Sequence, residues 1–88
     1  MSALKKQMLR NCILLQLNAS YPASMTAQML MQGIRIGGIS CDENRLLREV
    51  EYLSERGFLT LGKSELSRGL KRIKISAKGI DYLEGEGF

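Results

Sequence analysis

Asn44, Arg45 and Arg48 fall within one five-residue stretch. Their planar amide and guanidinium groups make paired hydrogen bonds to flat polar edges. A carboxamide matches adenine and a guanidinium matches guanine, and each good two-bond pair is worth roughly 1–3 kcal/mol of discrimination. A second set, Tyr52, Lys63, Arg68, Lys71, Arg72 and Lys74, offers a hydroxyl and positive charges for phosphate oxygens, contacts that position a protein without specifying sequence. Little else in the chain could carry chemistry. It has no histidine, and its two cysteines, Cys12 and Cys41, stand 29 residues apart. A Cys-x-x-Cys pair, a Cys/His metal cluster and a histidine-based triad are therefore excluded. The stretch GIRIGG, residues 33–38, lacks the spacing and the preceding strand of a phosphate-cradling loop. No enzyme activity, no metal and no cofactor is expected.

Charge distribution supports a polyanionic partner. The net charge is +4, but it is uneven. Residues 61–78 carry Lys63, Arg68, Lys71, Arg72, Lys74 and Lys78 against Glu65 alone, whereas residues 41–60 carry three arginines against five acids. A basic concentration of this kind attracts polyanions, and a solvated lysine-rich hairpin is the competing explanation. At 88 residues, 44% hydrophobic and 25% charged, the chain has the size and composition of one globular domain, residues 1–88. No apolar run approaches the ~20 residues of a membrane span. The N-terminal stretch is read as an amphipathic helix rather than a secretion leader, so a cytoplasmic location and no membrane partner are expected.

These side chains need elements to hold them. Leu4, Met8, Leu9, Cys12, Ile13, Leu15 and Leu17 recur at three- and four-residue steps, which predicts a first helix over residues 1–18. Pro22 follows, and Ser24 is a candidate cap for a second helix, 25–32, stopped by Gly33 with Met25, Met29 and Leu30 inward. A third helix is expected over 41–56, begun by a capping box of Ser40 and Glu43 and ended by Gly57. Together residues 24–57 form two helices joined by the Gly33–Ile39 connection. Residues 58–76 read as a β-hairpin, with strands Phe58–Gly62 and Leu70–Ser76 and a turn near Ser67-Arg68-Gly69. Ser76 caps a short closing helix, 77–84, and the last four residues are expected to fray.

The second half carries a resemblance. RLLREVEYLSERGFLTL, residues 45–61, followed by IKISAKGIDYLE, residues 73–84, resembles the end of a winged helix-turn-helix domain of the MarR/PadR-type bacterial transcriptional regulators. The Leu53-to-Phe58 helix stop and the Ser76, Gly79 and Leu83 pattern carry it. The likeness covers residues 40–84 and extends to the first forty by helix order. It implies an α+β, mostly α, fold: three helices, a two-stranded β-hairpin wing and a short C-terminal helix. It also implies a small transcriptional regulator, bacterial or phage in origin, that binds double-stranded DNA; because one small module buries little surface, a homodimer on a two-part site is expected. The chain stops short of the long C-terminal helix of larger regulators, so a bare reading head is expected.

On a helical wheel, Leu46, Val50 and Leu53, flanked by Leu47, face the core, and Asn44, Arg45, Arg48 and Tyr52 face away. Two readings of that outer face stand. In one, Asn44, Arg45 and Arg48 read bases in the major groove while Tyr52, Lys63, Arg68, Lys71, Arg72 and Lys74 hold the backbone. In the other, the face is a solvated mosaic with pairs such as Arg45–Glu49. The domain is then a module that meets a protein partner in a larger assembly.

Overall fold

The computed structural model describes residues 3–63 and 71–88. Its elements run α1 (Ala3–Ser20), β1 (Met25–Thr26), α2 (Ala27–Ile36), α3 (Glu43–Glu55), β2 (Leu59–Lys63), β3 (Lys71–Ile75) and α4 (Ala77–Gly85). The four helices pack around one apolar centre, and a small antiparallel sheet in the order β1-β3-β2 closes one side. The expected hairpin forms with Leu61 opposite Ile73 and Leu59 opposite Ile75. Its expected turn lies outside the described residues, as does Arg68.

Helix α1 is the central element. Leu9, Ile13, Leu14 and Leu17 are fully buried, and each such side chain contributes about 1.5–3 kcal/mol of transfer free energy. The expected inward set was broader. Leu4, Met8 and Leu15 instead lie exposed on the outer side of the helix, because one face of a single helix spans only part of the wheel. Helix α1 also continues through Asn18–Ser20 and ends directly before Tyr21-Pro22. Proline restricts only the residue preceding it, so nothing in Asn18–Ser20 had to leave the helix.

The second helix differs most from expectation. Met25 and Thr26 form a two-residue strand, pairing with Ile73 and Arg72. Thr26, not Ser24, is the N-cap, its hydroxyl accepting from the Met29 N–H. Gly33 lies inside the helix rather than ending it, and the Gln16 side chain of α1 fills the space a Cβ there would occupy. The helix ends at Gly37, with Gly38 in the left-handed region at φ +88°. With the register moved, Leu30, Met31 and Ile34 face inward and Met29 is exposed.

The end of α3 is as expected. Gly57 takes φ +81°, the Phe58 N–H donates to the Leu53 carbonyl, and the Gly57 N–H donates to Ser54. That is a Schellman stop, and it aims the chain directly into β2. Ser76 caps α4 by accepting from the Gly79 N–H at 3.1 Å. Gly79 is where α4 crosses the chain at Phe58: a Cβ there would collide with the Phe58 carbonyl oxygen. The tail, expected to fray, is hydrogen-bonded back onto α4. Gly87 at φ +88° and the Phe58-like closing bond from Phe88 N–H to Leu83 repeat the same stop.

Candidate nucleic-acid interface

Helix α3 begins at Glu43, and its N-cap is Asp42, whose carboxylate accepts from the Arg45 N–H at 2.7 Å. The Ser40 capping box does not form, and Cys41 lies before the helix. An aspartate cap satisfies an otherwise unpaired N–H and places negative charge at the positive end of the helix dipole. The acidic start thus serves the helix itself.

Leu46, Val50 and Leu53 are buried as expected, but Leu47 is exposed and Glu49 is buried at 3% exposure. Glu49 is held by two guanidiniums. Arg10 Nε of α1 donates to one carboxylate oxygen at 2.5 Å, and Arg45 Nη1 reaches the other at 3.4 Å. Arg10 also lies over the Tyr52 ring, 4.0 Å from its centroid. Every buried polar side-chain atom among the described residues has a hydrogen-bond partner, which is what makes a buried carboxylate tolerable.

This network divides the expected base readers. Asn44 and Arg48 are exposed and have no partner among the described residues. They line a shallow hollow of about 690 Å³ together with Asp42, Arg45, Leu47 and Glu51. Arg45 borders that hollow, but its guanidinium turns toward Glu49. Tyr52 lies on another flank, beside Gln7, Arg10 and Tyr82, apart from Asn44 and Arg48. In the hairpin, Arg72 and Lys74 lie on the face opposite Ile73 and Ile75. Arg72 Nε donates to Ser24 Oγ at 2.9 Å, and Lys74 Nζ stands 5.6 Å from the Tyr21 ring centroid. Lys63 and Lys71 pair at the far end of the β2–β3 ladder.

No protein-family model matches the chain, and no curated protein matches it. Solved structures do. A PadR-like transcription factor from Bacteroides fragilis aligns with a TM-score of 0.79 and 22% identity, over 94% of this chain and 80% of that one. The hsRosR-S1 and hsRosR-S4 complexes each align with a TM-score of 0.71 and 17% identity, over 98% of this chain and 69% and 67% of theirs. The fold is a winged helix of the PadR type.

Within the winged helix, α2 and α3 are the helix-turn-helix pair and β2–β3 is the wing. Residues 37–42 connect the two helices, later in the chain than the glycine pattern suggested. Arg10 is the residue that sequence reasoning missed. It lies 39 positions from Glu49, and no local pattern marks a helix-to-helix ion pair. One signal was present: Glu49 falls beside Leu46 and Val50 on the wheel, and an acid there needs a partner from elsewhere.

Proposed function

We propose that this protein is a small sequence-reading DNA-binding regulator of transcription, with α3 in the major groove and the wing on phosphates. The observation that carries this reading is the state of the α3 surface. Asn44 and Arg48 have no partner among the described residues and stand in its N-terminal half, the part of a recognition helix that reads bases. Two of the nearby acids are otherwise engaged: Asp42 caps the helix and Glu49 is buried against Arg10. That leaves the front of the helix polar, with Asn44 and Arg48 outward between the exposed Glu43 and Glu51. Asn44 pairs with adenine and Arg48 with guanine, and Arg45 joins them by releasing Glu49 to Arg10. Lys63, Arg68, Lys71, Arg72 and Lys74 of the wing, with Tyr52, supply backbone contacts. The description of a solved structural neighbour as a transcription factor supports the same reading.

A homodimer on a two-part site fits the small surface of one module. The outer side of α1, where Leu4, Met8 and Leu15 lie exposed, is the surface best suited to a second copy.

The deciding experiment is fluorescence anisotropy against a random-sequence duplex pool, followed by a selected site. Binding should weaken with salt, log K falling by about 0.9 per phosphate neutralised. Arg48→Ala should relax sequence preference. Arg72→Ala with Lys74→Ala should weaken binding to all duplexes alike. No binding at low salt would refute the proposal and favour the protein-interaction module.

A further inference from the structure

The outer surface of α3 carries two side chains that have no part in the fold and none yet in DNA reading. Leu47 is 41% exposed, while Leu46, Val50 and Leu53 fill the inner face of the helix. Glu51 is exposed, and its carboxylate has no partner among the described residues. Both border the hollow that Asn44 and Arg48 also border. The spacing explains the grouping. Asn44, Leu47, Arg48 and Glu51 follow one another at steps of three, one and three residues, which places them on one strip about 100° wide along the helix. Glu43 lies off that strip and lines a separate hollow with Gln28, Gln32 and Arg35 of α2.

The strip is about 10 Å long at a rise of about 1.5 Å per residue, the length of about three base steps of roughly 3.4 Å each. Its side chains are of four chemical kinds: an amide, an isobutyl group, a guanidinium and a carboxylate. Each matches a different group on the floor of the major groove. The amide suits adenine and the guanidinium suits guanine, an apolar side chain packs on the 5-methyl group of thymine, and a carboxylate accepts from the 4-amino group of cytosine. We infer that Leu47 and Glu51 are specificity-determining residues, Leu47 packing on a thymine methyl and Glu51 accepting from a cytosine amino group. The inference rests on the DNA-binding reading proposed above and names what that site selects.

The two residues discriminate in different ways. A carboxylate facing DNA is repelled by the phosphates of every duplex, and only a base with an amino group at the right step returns a hydrogen bond. Glu51 therefore acts mainly by penalising wrong sites. Leu47 gains from a methyl group and meets only polar edges elsewhere in the groove. Neither adds to sequence-independent affinity, which the cations of the wing supply. A single exposed leucine is ordinary on a protein surface, so the decisive readout is the response to individual base groups rather than affinity alone.

The test selects sites from a random duplex pool with the full wild-type chain, Leu47→Ala and Glu51→Ala, and measures affinities by fluorescence anisotropy. Both positions are exposed and alanine favours helix, so both variants should fold, which circular dichroism verifies. In the wild-type site, thymines are replaced one at a time by deoxyuridine, which removes only the methyl group. One replacement should weaken wild-type binding about fourfold, and Leu47→Ala should bind the two duplexes equally. Glu51→Ala should bind random duplexes more tightly than the wild type and lose at least about fivefold of the preference for cytosine at one position. A selected site with no thymine that responds to the replacement, or a response that persists in Leu47→Ala, would overturn the role of Leu47. A base profile unchanged in Glu51→Ala would overturn that of Glu51. In each of these cases the wild type still binds duplexes, so the DNA-binding reading stands. A wild type that binds no duplex at low salt refutes that reading and this inference with it.

Discussion

Replacing Arg10 by methionine tests whether the ion pair between α1 and α3 is the polar anchor of the fold. Removing one partner of a buried pair costs about 3–5 kcal/mol, because the other charge stays buried without compensation. Two features reduce that here. The Arg10 side chain keeps 24% of its surface exposed, and Arg45 remains 3.4 Å from the other Glu49 oxygen. The expected loss for Arg10→Met is therefore about 2–3 kcal/mol. Arg45→Met removes only the longer contact, an i,i+4 pair, and should cost about 0.3–0.5 kcal/mol. Arg10→Met combined with Glu49→Leu removes both charges and fills the space with apolar atoms, so it should return to within about 1 kcal/mol of the wild type. Equilibrium urea unfolding at pH 7 measures all three. The reasoning fails if Arg45→Met costs as much as Arg10→Met, or if the double variant is no more stable than Arg10→Met alone.

Three further outcomes follow from local geometry. Asp42→Ala should cost about 1 kcal/mol by removing the α3 cap, whereas Ser40→Ala should leave thermal stability unchanged; equal effects would contradict the capping geometry. Gly79→Ala should cost at least about 1–3 kcal/mol, since the added methyl meets the Phe58 backbone carbonyl, which cannot swing aside as a side chain could. Burial raises both cysteine pKa values above the ordinary thiol value of 9.0. The unfolded chain therefore loses those protons first, and stability contributed by the neutral thiols is complete below about pH 9 and is lost as pH rises beyond it. The difference in unfolding free energy between the wild type and a Cys12→Ser, Cys41→Ser variant should shrink over that range; a difference independent of pH would refute the assignment.

The elements with strong local signals were legible in the sequence. The Gly57 stop, the alternation of Ile73 and Ile75 with charged residues, and the Ser76 cap each depend on a few adjacent residues, and each is found where it was expected. What was not legible depends on residues far apart. Gly33 reads as a stop because glycine usually ends helices, yet here it admits Gln16 of α1. The strand at Met25–Thr26 exists only through its pairing with Ile73 and Arg72, and two residues carry no periodicity of their own. Ser40 and Glu43 have capping-box spacing, but Asp42 has the stronger combination of acceptor and charge, and it takes the position.

The acidic character of residues 41–60 is unfavourable for contact with a polyanion, and the fold removes part of that objection. Folding removes acids from the outer surface selectively. Asp42 is turned to the helix backbone, and Glu49 is drawn inward by an arginine from another helix. Glu43, Glu51 and Glu55 remain exposed; Glu55 lies in the last turn of α3, whereas Glu43 stands in its first turn and Glu51 borders the same hollow as Asn44 and Arg48. The N-terminal half of α3 presents Asn44 and Arg48 outward with Arg45 at its margin. Net charge over a segment is therefore a poor guide to the sign of its functional face. The relevant quantity is the charge left over once caps and buried pairs are satisfied, and on α3 the fold engages Asp42 in a cap and Glu49 in a buried pair.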